Sequence, residues 1–68
     1  MITEIGIVAR EIWHYLDEHR GEVPFPRIVA GIERSKELAL MSLGWLAREG
    51  HVIVRQDGQD LLVELRHQ

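Results

Sequence analysis

The hydrophobic pattern of this chain changes at Gly50. Before it, KELALMSLGWLAREG places apolar residues at helical spacing; after it, HVIVRQDGQDLLVELR alternates and carries Asp57-Gly58 in the middle. A helix interior tolerates neither that alternation nor an Asp-Gly step between two alternating runs. The pattern therefore predicts a helix over 36–49, begun by Ser35 as N-cap and ended by Gly50 at the C′ position. A hairpin follows, with strands over 51–56 and 59–66 and Asp57-Gly58 as its two-residue loop. Closing the loop at Gln56 and Gln59 pairs Val54 with Leu61 and Val52 with Val63, an apolar face for a core.

Upstream, Ile5, Val8, Ala9, Ile12, Trp13 and Leu16 fall at i, i+3, i+4, i+7, i+8 and i+11. That is one apolar stripe of a helix running from Thr3, its expected N-cap, to His19, with Gly21 at C′. Ile7, Arg10, Glu11, His14 and Glu18 fall on the other face. Pro24 and Pro26 push their predecessors out of helical geometry, so residues 22–25 read as an extended piece that can serve as one edge strand. Pro26 then suits the first turn of a short second helix, which Gly31 weakens near its end. Helix, short strand, helix, turn, helix, hairpin is the order of an α+β winged helix-turn-helix, expected as one domain over 1–68.

SLGWLAREGHV, behind a first helix containing REIWHYL, resembles the stand-alone winged helix-turn-helix proteins of prokaryotes that are catalogued as a domain of unknown function. The resemblance covers essentially the whole chain, and LGWLAREG is its most specific piece. It implies a DNA-binding fold and brings no ligand with it; fold alone does not confer function.

Stepping about 100° per residue, Ala39, Ser42, Leu43 and Leu46 turn inward, with Leu38 at their edge. Glu37, Met41, Gly44 and Arg48 turn outward, flanked by Leu40 and Trp45. In a DNA reader this outward side enters the major groove, where bases are read by Arg, Lys, Asn and Gln. The first expectation is a DNA-binding, transcription-regulator-like homodimer on double-stranded DNA. Arg34, Ser35, Lys36 and Arg48 would contact DNA from the helix, and Arg55 and Gln56 from the wing. The alternative is a protein-interaction or dimerisation module without DNA, using Ile7, Leu40, Met41, Gly44 and Trp45. Composition leans to the alternative: 8 Lys+Arg against 11 Asp+Glu leave a net charge of −3, whereas nucleic-acid binders normally show a basic footprint.

With 68 residues and no cysteine, a small core has neither disulfide nor thiolate metal site to support it, which again points to self-association. His14 and Glu18 at i, i+4 make a two-ligand edge, too few for a metal site, and His19, His51 and His67 have no fixed relation to them. Ser35 reads as a cap rather than a nucleophile, and no phosphate loop is present. The chain is accordingly expected to be no enzyme and to need no cofactor, metal or small-molecule substrate. No apolar run reaches the roughly 18 residues of a membrane span and no leader pattern opens the chain, so the expected location is the cytoplasm.

Overall fold

A computed structural model describes residues 1–66; His67 lies outside the described residues. Its elements are α1 (Ile2–Glu18), β1 (Val23–Pro24), α2 (Phe25–Ile32), α3 (Lys36–Arg48), β2 (Val52–Asp57) and β3 (Asp60–Leu65). The three strands form one antiparallel sheet in the order β1-β3-β2. The expected edge strand is thus real and pairs with the far strand of the hairpin, Val23 opposite Val63. Pro24 can sit there because an edge strand has one side that donates to no neighbour.

The first helix starts earlier than its sequence suggests. Met1, not Thr3, is its N-cap, with no side-chain hydrogen bond. The Met1 carbonyl accepts from the Ile5 N–H at 2.9 Å, and that backbone bond opens the helix without a capping side chain. At the other end His19 is the C-cap, so Gly21 lies one residue beyond the expected C′ position, at φ +83°.

α2 stands on Pro24, with Pro26 in its first turn as expected, and stops at Glu33 in the left-handed region, φ 56° and ψ 45°. Gly31 has a packing reason rather than only a weakening effect. A Cβ there would lie 2.2 Å from Cε2 of Tyr15, so the glycine lets α2 settle against α1.

The third helix keeps both of its expected ends. Ser35 Oγ accepts from the Leu38 N–H at 3.1 Å. At the C-terminus the Gly50 N–H donates to Ala47 O and the His51 N–H to Leu46 O, with Gly50 at φ +80°. These are the two bonds of a Schellman motif, and they hand the chain straight into β2.

The hairpin closes two residues later in register than expected. Val54 faces Val63, Val52 faces Leu65, Gln56 faces Leu61, and Asp57 pairs with Asp60 across a Gly58-Gln59 loop. Gly58 carries the positive φ, +63°, and Gln59 does not. Glycine first in a two-residue loop is the II′ preference, which wins here over the I′ placement of Asp57-Gly58. Because side chains alternate with period two, this change leaves every residue on its expected face. Val52, Val63 and Leu65 are buried; Val54 stays exposed, further out along the wing.

The core gathers Val8, Ala9, Ile12 and Leu16 of α1, Phe25 and Ile28 of α2, Ala39, Leu43 and Leu46 of α3, and the inner sheet residues. Ser42, wholly buried, gives its hydroxyl proton to Leu38 O at 2.8 Å, so no polar atom is stranded there. No helix among the described residues is long and apolar enough to cross a membrane.

Candidate functional site

The orientation of α3 follows from its own leucines. Leu43 and Leu46 are sealed against α1, so the residues about half a turn away must face water. They are Glu37, Met41, Gly44 and Arg48, all exposed. Leu40 and Trp45 flank them with 46% of their surface exposed each, and Met41 keeps 43%. Together they give α3 an apolar outward patch.

Gly44 sits in the middle of this face. A Cβ built on it would meet nothing within 4 Å among the described residues. Beyond its own helix backbone, no group of its own chain other than its neighbours Leu43 and Trp45 borders that position, which forms a notch open to the outside. Trp45 instead leans toward the start of the wing, its ring centroid 6.1 Å from that of His51. Between Trp45 and α1 runs a shallow, mainly apolar groove of about 330 Å³, lined also by Gly6, Ala9, Arg10, Trp13 and Leu46.

Trp13 was expected in the inward stripe and lies instead at its margin, 37% exposed. On the α1 wheel it stands only about 20° from Gly6, which is open to solvent, and that offset is the sequence signal for its marginal place. Ile7 is exposed too but lies about 100° round α1 from Gly6, outside the groove. The five apolar candidates thus divide: Leu40, Met41, Gly44 and Trp45 share one surface, and Ile7 belongs to another.

The polar candidates are scattered and partly engaged. Arg34, in the turn before α3, makes a two-pronged pair with Glu11 of α1, Nε to Oε1 at 2.9 Å and Nη2 to Oε2 at 2.7 Å. Arg55 of β2 does the same with Glu22, at 2.8 and 2.9 Å. The hydrogen bonds from Arg34 and Arg55 hold the Glu11 and Glu22 carboxyls below their ordinary value. Both guanidinium forks therefore already meet an anion of the shape a phosphate would offer. Ser35 Oγ is committed to its cap. Gln56 reaches only Gly58 O, at a long 3.4 Å.

Lys36 and Arg48 remain as exposed cations of α3, at opposite ends of the helix. Arg48 is 82% exposed, with Glu49 3.9 Å away. The part of the wing that comes up beside Lys36 and Leu40 is Gln59, Asp60 and Leu61, not Arg55 or Gln56. An aspartate thus stands where a groove-reading wing would want a cation. His14 and Glu18 gain no third ligand: among the described residues no three His, Asp or Glu side chains converge.

The chain matches the family described as "Winged helix-turn-helix domain (DUF2582)" over residues 1–65. It belongs to that family, and the match agrees with the three helices and antiparallel hairpin described above. No curated protein and no solved structure matches it.

Proposed function

We propose that this winged helix-turn-helix protein is a protein-interaction module, and that the outward face of α3 is its contact surface. The carrying observation is the half-exposed trio Leu40, Met41 and Trp45 around the open notch of Gly44. Interfaces are enriched in aromatic residues and methionine and depleted in charge at their centres, and this face has that make-up. The electrostatics agree. Net charge is −3, and the Arg34 and Arg55 forks are matched to carboxylates. Releasing them to phosphate would uncover Glu11 and Glu22 beside the same phosphates.

DNA binding is the second reading. It is favoured by the family's fold and by Lys36 at the start of α3, the end that normally meets the bases. With only Lys36 and Arg48 as cations on α3, few phosphates would be contacted from that helix, so binding through it would be weak and its salt slope shallow.

A titration with a random-sequence duplex at ~50 mM salt, followed by backbone amide shifts, separates the two. The interaction reading expects the amides of Lys36–Arg48 to stay in place. Saturating shifts along that segment would overturn it. Trp45→Glu is expected to leave a folded chain, because nearly half of the residue's surface is in water. A molten variant would instead put Trp45 in the core.

A further inference from the structure

We infer that the groove between α1 and Trp45 takes an amphipathic helix of a different protein, one whose apolar stripe is edged by carboxylates. This rests on the interaction reading above, carries it past Trp45 onto α1, and gives the partner's chemistry.

Four residues of α1 line the groove: Gly6, Ala9, Arg10 and Trp13. Their i, i+3, i+4, i+7 spacing gathers them within about 100° of the helix circumference and along two turns, about 10 Å. This second stripe shares only Ala9 with the stripe that enters the core. Across from it stand Trp45 and Leu46 of α3. Ala9 and Leu46 are already sealed by the fold, whereas both tryptophans remain exposed. Apolar side chains laid between the rings would take them out of water. The groove is shallow, so a small molecule would keep much of its surface wet; a helix can lie along both turns at once.

Gly6 gives the groove its α1 edge. Beyond its own helix backbone and its chain neighbours, a Cβ there would meet nothing within 4 Å. No other element of the fold requires a glycine at this position, and glycine inside a helix is unfavourable against alanine. What the missing side chain permits is close approach of another backbone from outside.

The sign of the partner follows from the charges. Acidic residues outnumber Lys+Arg by 11 to 8 in the chain, yet among the described residues none lines this groove; Arg10 and His51 do. Arg10 forms no ion pair among the described residues. Its chain neighbour Glu11 is held by both prongs of Arg34, which leaves the Arg10 fork for a carboxylate from outside. Tryptophan and arginine are also the residues on which interface affinity concentrates. The net charge of −3 does not oppose an acidic partner at contact, because exposed charges farther away than about 8 Å are largely screened at physiological salt.

Contact over two turns falls short of the roughly 800 Å² per partner of a standard interface, so affinity is expected in the micromolar range or weaker.

Two synthetic helical peptides of about 18 residues test the inference. They share one stripe of leucine and phenylalanine and carry either glutamates or lysines along its edges. Titrated into the full chain, the glutamate peptide should shift the indole N–H signals of Trp13 and Trp45 and the amides of Gly6, Arg10 and His51. It should bind about tenfold more tightly than the lysine peptide, and Arg10→Glu should reverse that preference. Gly6→Leu fills the open edge and should weaken the glutamate peptide about tenfold or more, with the circular dichroism of the chain unchanged.

No shift at these signals with either peptide, equal affinity for both, or a preference that Arg10→Glu leaves unaltered overturns the inference. Shifts of the same signals on concentrating the chain alone would give the groove to a second copy and overturn it as well. In any of these events, Lys36–Arg48 amides unmoved by duplex would leave the interaction reading in place. Duplex-dependent shifts along that segment would bring down that reading itself.

Discussion

Gly44→Ala and Gly31→Ala make the same chemical change inside a helix and should have opposite effects on stability. Exchanging a helix-interior glycine for alanine gains about 0.8–1 kcal/mol of helix propensity, mostly by restricting the unfolded chain. At Gly44 no other element opposes that gain, since beyond its own helix backbone and its neighbours Leu43 and Trp45 the added Cβ meets no atom within 4 Å. The full amount should appear, raising the melting temperature by about 4–8 °C for a domain of this size. At Gly31 the added carbon would lie 2.2 Å from Tyr15 Cε2, 2.9 Å from Cδ2 and 3.0 Å from Cζ. Carbon atoms settle no closer than about 3.5 Å, so the ring must retreat by roughly 1.3 Å. It is stacked on His19 at a centroid distance of 4.0 Å and packs against the core, which limits that retreat. Overpacking of this kind costs about 1–3 kcal/mol. After the propensity gain the net effect is a loss of up to about 2 kcal/mol. Urea denaturation at low micromolar protein, followed by far-ultraviolet circular dichroism, gives both values from the midpoints at constant slope. A destabilised Gly44→Ala, or a Gly31→Ala as stabilised as Gly44→Ala, would refute the reasoning.

Three further outcomes follow from local geometry. Glu33 holds a left-handed backbone at φ 56°, so Glu33→Gly should stabilise the chain by about 1 kcal/mol in the same denaturation assay. Ser35→Ala removes the acceptor of the Leu38 N–H and should cost about 1 kcal/mol, with Ser35→Asp close to neutral. The folded-state values of Glu11 and Glu22 lie below the ordinary 4.5 because arginine hydrogen-bonds their ionised forms. Their contribution is therefore present above pH 4.5 and lost as pH falls through the lower folded values. A Glu11→Gln, Glu22→Gln double variant should show a shallower loss of stability below pH 4.5, measured as denaturation midpoint against pH.

Much of the fold was legible because local signals agreed with one another. Ser35 and Gly50 bracket α3 where their capping chemistry says they should, and Ala39, Ser42, Leu43 and Leu46 turn inward as their spacing requires. The same spacing left Leu40, Met41, Gly44 and Trp45 outside, so the candidate surface was readable before any contact was known. The hairpin loop is Gly58-Gln59 and not the expected Asp57-Gly58, because Asp-Gly is only a preference. II′ geometry needs its glycine first, and the strand-face alternation is equally satisfied by either closure.

Tertiary structure decided what depends on residues far apart in the chain. Arg34 and Arg55 look like free cations in sequence; only the fold brings Glu11 within 2.7 Å of the one and Glu22 within 2.8 Å of the other. Gly31 and Gly44 look alike in sequence; packing sets Tyr15 against the first and leaves the second facing solvent. The sequence by itself determined which elements form and which face of each turns inward, because helix and strand periods and capping chemistry act over a few residues. Which charges are neutralised and which glycine is a notch depend on how separate elements meet, and the physics of neighbours in space has no counterpart in local spacing.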